Sequence, residues 1–175
     1  MRNFKCISGC FIQTSFMNID ILCVGKIKEK YLSDAISEYS KRLSRYCTLK
    51  IIEVADEKTD ENASETACDK VRSLEAERLK KYIKPGAYVI TLEIDGKQLD
   101  SVSFSNCLSK LMVDGVSDIQ FVIGGSIGLH NSISELAKMH LSFSKMTFPH
   151  QLMRVILLEQ IYRAYRIKNN EPYHK

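Results

Sequence analysis

Apolar positions along the chain recur in blocks whose period switches between two and about 3.6 residues. Residues 18–27 place Ile19, Ile21 and Cys23 on one face at period two, which predicts a strand. Residues 31–46 place Leu32, Ile36, Tyr39 and Leu43 at helical spacing. A second strand is predicted over 48–54 and a polar, acidic loop over 55–63. Residues 64–83 predict a charged helix with Ala67, Val71 and Leu74 on one side, stopped by Pro85-Gly86. AYVITLEI at 87–94 predicts an apolar strand closed by an Asp95-Gly96 turn, and 101–113 a helix capped by Ser101 or Ser103. DIQFVI at 118–123 predicts an apolar strand ending at Gly124-Gly125, followed by a short helix near 132–138 and a short strand at 140–143. Pro149 opens a last helix, in the first turn where a missing N–H is tolerated, and that helix runs to about Ile167.

Alternating strands and helices, with the later strands almost wholly apolar, predict an α/β fold with a mostly parallel sheet and helices on both faces. No Gly/Ser/Pro linker interrupts residues 17–175, so they are expected to form one domain. Residues 1–16 (MRNFKCISGCFIQTSF) differ in character, whereas Met17 leads directly into the first strand. They are expected to be a disordered or non-native extension from an upstream start codon or cloning. Ile7 to Cys10 resembles a lipoprotein box, but the apolar stretch before it is shorter than the about 7–15 residues of a signal-peptide core. No run approaches the roughly 20 apolar residues of a membrane span.

Composition narrows the class without naming a function. The 175 residues are 45% apolar and 26% charged, as in a soluble globular domain that needs neither disulfides nor metals to bury its core. The formal charge of +4 permits an anionic partner without demanding one. It is unevenly spread: residues 26–50 carry seven Lys/Arg against three Asp/Glu, and 154–175 carry five against two. Residues 53–81 reverse this with nine acids and six bases. Either basic stretch alone suits a solvated helix face as well as a nucleic acid. The six cysteines form no CxxC pair and no zinc-finger spacing, so no metal site is expected and the thiols are read as reduced, in a cytoplasmic protein.

Four segments carry candidate chemistry. Ile123-Gly124-Gly125-Ser126-Ile127-Gly128-Leu129 follows an apolar strand, where glycines let a backbone approach a ligand; an ordinary glycine turn fits equally. The segment lacks the G-x-G-x-x-G pattern of a dinucleotide site, and the chain has no P-loop. Phe143 to His150 (FSKMTFPH) joins a strand to the last helix and offers apolar walls with backbone partners, as an adenine requires, or simply a core-filling connection. The last helix is apolar on more than one stripe, through Leu152, Val155, Ile156, Leu158 and Ile161, which favours a dimer interface over burial within one small domain. Tyr173-His174-Lys175 supplies an aromatic plate, an imidazole and a cation, suited to stacking a base, taking a proton and pairing a phosphate. His130, His140 and His150 form no metal-like cluster and are expected to be structural or surface residues.

Together, the start MNIDILCVGKIKEKY, the GGSIGLH loop, SFSKMTFPHQLMRVILLEQIYRAYRI and the terminal PYHK resemble the ribosomal RNA large-subunit methyltransferase H family, minimal SPOUT enzymes, from Met17 to Lys175. The resemblance implies a C-terminal trefoil knot, a homodimer and S-adenosylmethionine as methyl donor. It implies a pseudouridine of large-subunit (23S) ribosomal RNA as substrate, methylated at N3 within the assembled ribosome. Carried over by position, the cofactor contacts are Leu92, Gly124, Phe143, Ser144, Lys145, Met146, Thr147 and Phe148. The catalytic neighbourhood maps to Tyr173 and His174, with His174 positioning the base and taking or relaying its proton. Lys175 and Arg154 fall on the substrate side; Arg154 steadies the tail or a phosphate, or else forms a helix-surface salt bridge with Glu159 or another carboxylate. A non-catalytic ribosome-associated binding or assembly factor on the same fold is the competing reading, and a generic nucleotide-binding protein a weaker third.

Overall fold

Strand β1 (Met17–Val24) lies inside a parallel sheet completed by β2 (Cys47–Val54), β3 (Tyr88–Gln98), β4 (Asp118–Ile123) and β5 (Met139–Ser142), in the order β2-β1-β4-β3-β5. The computed structural model describes residues 17–60 and 62–172. Parallel neighbours need crossovers, and helices supply them: α1 (Lys30–Leu43), α2 (Glu65–Lys80), α3 (Ser101–Val113) and α4 (Asn131–Ser134). The fifth helix, α5 (His150–Lys168), closes the chain against α1 and α3. The α/β expectation therefore holds, with helices on both faces of the sheet.

The side-chain alternation of β1 divides the core in two. Ile19, Ile21 and Cys23 face one side, with Leu108 of α3 and Leu157, Leu158 and Ile161 of α5. Leu22 and Val24 face the other, with Ala76 and Leu79 of α2 and Ile133 of α4. A strand covered on both faces has no solvent-facing side, hence the largely apolar β4, broken between Ile119 and Phe121 by the buried Gln120. One polar network crosses this centre. Asp20 is buried, takes the Lys84 ammonium at 2.9 Å and accepts from the Gln120 amide at 3.0 Å. Gln120 also donates to the Tyr82 carbonyl and accepts from Lys84 N–H, which fastens the α2–β3 connection to the sheet.

Three local expectations change. Asp95-Gly96 does not end the third strand: β3 continues to Gln98, and both Leu92 and Lys97 pair with Leu141, so residues 93–96 bulge out of register. Gly96 permits the bulge, because a Cβ there would lie 2.8 Å from the backbone of His140 and Leu141. The cap of α3 is Asp100, whose carboxylate accepts Ser103 N–H at 2.6 Å, since a carboxylate is a stronger acceptor than either serine. Helix α4 spans Asn131–Ser134 alone, capped by the His130 ring accepting Ser132 N–H.

Candidate functional site

The carboxyl ends of β3, β4 and β5 open into a cleft of about 490 Å³. Open α/β sheets bind ligands at this edge. Leu92 to Ile94 form one wall, Ile123 to Ser126 with Gly128 a second, and Leu141 with the loop from Phe143 to Pro149 a third. His150 and Met153, in the first turn of α5, complete it. Of the sequence-assigned contacts, Leu92, Gly124, Phe143, Ser144, Met146, Thr147 and Phe148 all line the cleft. Lys145 is exposed and does not line it, because an ammonium favours water over an apolar wall.

The glycine loop is shaped by its own backbone. A Cβ on Gly124 would stand 2.7 Å from the Gly128 carbonyl group, and Gly128 holds φ +85°, a left-handed conformation. Gly124 thus permits the loop to approach itself, rather than only a ligand as the sequence suggested. Across the cleft, the Ser142 hydroxyl reaches the carbonyls of Ile94 (2.8 Å) and Ser144 (3.1 Å), and the Ser144 hydroxyl accepts Met146 N–H. These bonds tie the 143–149 loop to the β3 bulge. Met146 is 72% exposed and Phe148 37%, so the loop presents two large apolar side chains at the rim.

Charge is scarce in the cleft. Among the described residues lining it, Glu93 is the sole Asp, Glu, Lys or Arg. His140 Nδ1 lies 2.9 Å from the Glu93 carboxylate and 3.0 Å from the Thr91 hydroxyl. Burial pushes the Glu93 carboxyl up, but hydrogen bonds from Thr91, His140 and Ser134 outweigh it and hold the group below the usual glutamate range. Burial also pushes the His150 imidazole below its usual range; Arg154 and Lys28 add to this and Asp56 opposes it. At neutral pH the cleft therefore carries an anion from β3 and an uncharged imidazole from α5.

Arg154 contradicts its assignment. Its side chain is 0% exposed, so the guanidinium offers no surface to a phosphate. The guanidinium donates to Glu53 at 2.6 Å and to the carbonyls of Val24 and Gly25 at 2.7 and 2.8 Å, clamping the end of β1 to α5. Glu159 pairs instead with Arg163 at 2.7 Å. Tyr173, His174 and Lys175 lie outside the described residues.

A cleft of this kind, walled by a glycine loop and a strand-to-helix loop, has relatives. The family model of predicted SPOUT methyltransferases matches residues 17–174. The chain belongs to the SPOUT methyltransferase family. A Methanococcus maripaludis relative is 63% identical over 159 residues, covering 91% of this chain and 100% of its own. Ribosomal RNA large subunit methyltransferase H of Bifidobacterium animalis subsp. lactis is 58% identical over 159 residues, again 91% of this chain and 100% of that protein. Among solved structures, a probable methyltransferase from Bordetella pertussis Tohama I superposes with a TM-score of 0.53 at 12% identity, covering 86% of this chain and 97% of that one. At that identity the likeness concerns the fold.

In this SPOUT cleft, the sequence reading overlooked Glu93 and His150. Glu93 carries a legible signal, an acid set into the apolar run TLEI at a strand's carboxyl end. His150 carries a weaker one, its place directly after Pro149 at a helix start. Among the described residues no helix is long and apolar enough to cross a membrane, and no group of three or more His, Cys, Asp or Glu is arranged to hold a metal.

Proposed function

We propose that this SPOUT protein transfers a methyl group from S-adenosylmethionine to N3 of a pseudouridine in large-subunit (23S) ribosomal RNA. It works as a homodimer on the assembled ribosome in the cytoplasm, with a trefoil knot in its C-terminal half. The observation that carries this reading is the cleft at the ends of β3, β4 and β5. Its volume of about 490 Å³ suits a small organic cofactor. Its apolar walls and one carboxylate fit a ligand that joins a flat nucleoside to a cation. Leu92, Phe143 and Met146 would flank the base, and the backbone of the 143–148 loop would bond its edge. The names of the relatives above support ribosomal RNA as the acceptor.

When bound, S-adenosylmethionine supplies an electrophilic methyl group. The acceptor needs more help, because an imide N3–H is a poor nucleophile until its proton leaves. His174, placed by Tyr173, is assigned to hold the base and take or relay that proton, and Lys175 to pair a phosphate. The reach of the chain supports a shared site. Helix α5 starts at the cleft and has 19 residues, which carry the chain roughly 28 Å away. The Tyr46 hydroxyl and Arg166 then hold Glu171 beside the far end. Three further residues at full extension span only about 11 Å, and that short reach supports a homodimer in which each tail serves the other subunit's cleft. Leu152, Val155 and Ile156 on α5 are half-buried within the chain and offer that subunit an apolar surface.

Mass spectrometry of 23S ribosomal RNA from a strain lacking the gene, with and without the gene restored, tests the reading. One N3-methylpseudouridine should vanish and return. Unchanged ribosomal RNA alongside tight ribosome binding would instead favour a non-catalytic assembly factor.

A further inference from the structure

The cleft holds a feature that methyl-donor binding alone does not require. Its lining, among the described residues, contains one formal charge, Glu93, within an otherwise apolar and hydroxyl-bearing surface. The side chain is 30% exposed, and Thr91 and His140, both anchored in the sheet, fix its position. Glu93 also begins the bulge, residues 93–96, that departs from the β5 register, so the strand deviates where it brings this carboxylate to the cleft. A fixed anion that is only partly exposed in a largely apolar site is screened less than one in open water, so it interacts with a charge brought beside it.

Methyl transfer changes the charge of the ligand. The methyl carbon–sulfur bond breaks, its electron pair stays on sulfur, and a bond forms from the acceptor N3, whose proton leaves. The sulfonium cation thereby becomes the neutral thioether of S-adenosylhomocysteine, while the ligand's ammonium and carboxylate are unchanged. Resting on the cofactor reading above, we infer that Glu93 is the countercharge to the sulfonium, and that this carboxylate makes the cleft prefer the methyl donor over the spent product. Charge complementarity of this kind acts on one form of the ligand only. It limits product inhibition by weakening the site's hold as soon as the transfer is complete. Glu93 acts here as a specificity-determining residue and takes no proton.

Calorimetric titration of the full-length protein with S-adenosylmethionine and with S-adenosylhomocysteine tests this without any turnover. The Glu93→Gln substitution keeps size and one acceptor oxygen while removing the charge. It should weaken S-adenosylmethionine roughly tenfold, the scale of one charge-assisted contact, and leave S-adenosylhomocysteine within about twofold. Glu93→Asp, which keeps the charge, should retain most of the preference, and product binding reports that each variant's cleft is folded. A donor-to-product ratio unchanged in Glu93→Gln overturns the inference. Equal weakening of both ligands also overturns it, since that would place the carboxylate against the shared ammonium. Wild-type protein that binds neither ligand would refute the cofactor reading itself, a result separate from either of these.

Discussion

Replacing Arg154 by methionine removes a fully buried guanidinium while keeping most of the side chain's volume. Three acceptors lose the guanidinium: the Val24 and Gly25 carbonyls, and the Glu53 carboxylate, which keeps the Ile27 N–H at 3.2 Å. Stripping one partner from a buried ion pair costs about 3–5 kcal/mol where the remaining charge is cut off from solvent. Glu53 is 32% exposed and recovers part of its hydration. The Arg154 Nε is buried and has no partner among the described residues, so the native arrangement already carries a penalty that the substitution relieves. Against this, each bared carbonyl costs about 1 kcal/mol or more. The balance is a loss of about 3 kcal/mol, a large share of the roughly 5–15 kcal/mol that holds a domain folded.

Urea unfolding followed by circular dichroism reads that loss directly, and the thermal midpoint should fall by about 10 °C. Arg154→Lys should recover less than half, because an ammonium on a thinner stem cannot span the carboxylate and both carbonyls. The double substitution Arg154→Met with Glu53→Gln should be less destabilised than the two single effects added, since the charge the first leaves behind is gone. A loss under about 1 kcal/mol in Arg154→Met, or strict additivity in the double variant, would refute the view of Arg154 as the clamp between β1 and α5.

Three other outcomes follow from the same geometry. Gly124→Ala pushes a Cβ into the Gly128 backbone and should abolish S-adenosylmethionine binding at a stability cost of about 1–3 kcal/mol, whereas Gly128→Ala meets no described atom and costs only the left-handed backbone at φ +85°, about 1 kcal/mol; calorimetry and urea titration of both check the order. Burial raises the Glu75 carboxyl above the usual glutamate range, so the folded state binds its proton more tightly than the unfolded chain does. That contribution is full at low pH and is lost as pH rises through the raised value; Glu75→Gln should flatten this decline, and an identical pH profile would count against it. Burial pushes the Cys23 and Cys47 thiols up to about 12, so in native protein a thiol reagent should modify Cys68 and Cys107 well before either, as mapped by peptide mass spectrometry.

Periodicity made most of this fold legible because the sheet is covered on both faces. Ile19, Ile21 and Cys23 alternate as the sequence predicts, and AYVITLEI and DIQFVI are apolar runs that suit only buried parallel strands. The cleft walls were legible from the resemblance of the 124–129 and 143–149 segments, and the structure brings them together. What the sequence hid depends on pairing between distant segments. The β3 bulge needs β5 alongside it, so Asp95-Gly96 looks like a strand-ending turn until Leu141 is seen opposite both Leu92 and Lys97.

The same distinction separates Arg154, which the structure places in the frame, from Glu93, to which the sequence alone assigns no role. Along the sequence, Arg154 lies on a terminal helix between apolar neighbours, where a cation of an RNA-directed protein suggests a phosphate. In space, the helix points it at the carbonyls that end β1, and a guanidinium buried beside a carboxylate and two carbonyls is a structural bolt. Glu93 follows the opposite course. It sits in a strand pattern where an acid suggests a solvent-facing position, yet the bulge at 93–96 brings it to the cleft wall, with Thr91 and His140 holding it. A local charge pattern cannot separate these cases, because solvation depends on what the fold places around each group. In both, one turn of backbone geometry decides whether a charge serves the frame or the ligand.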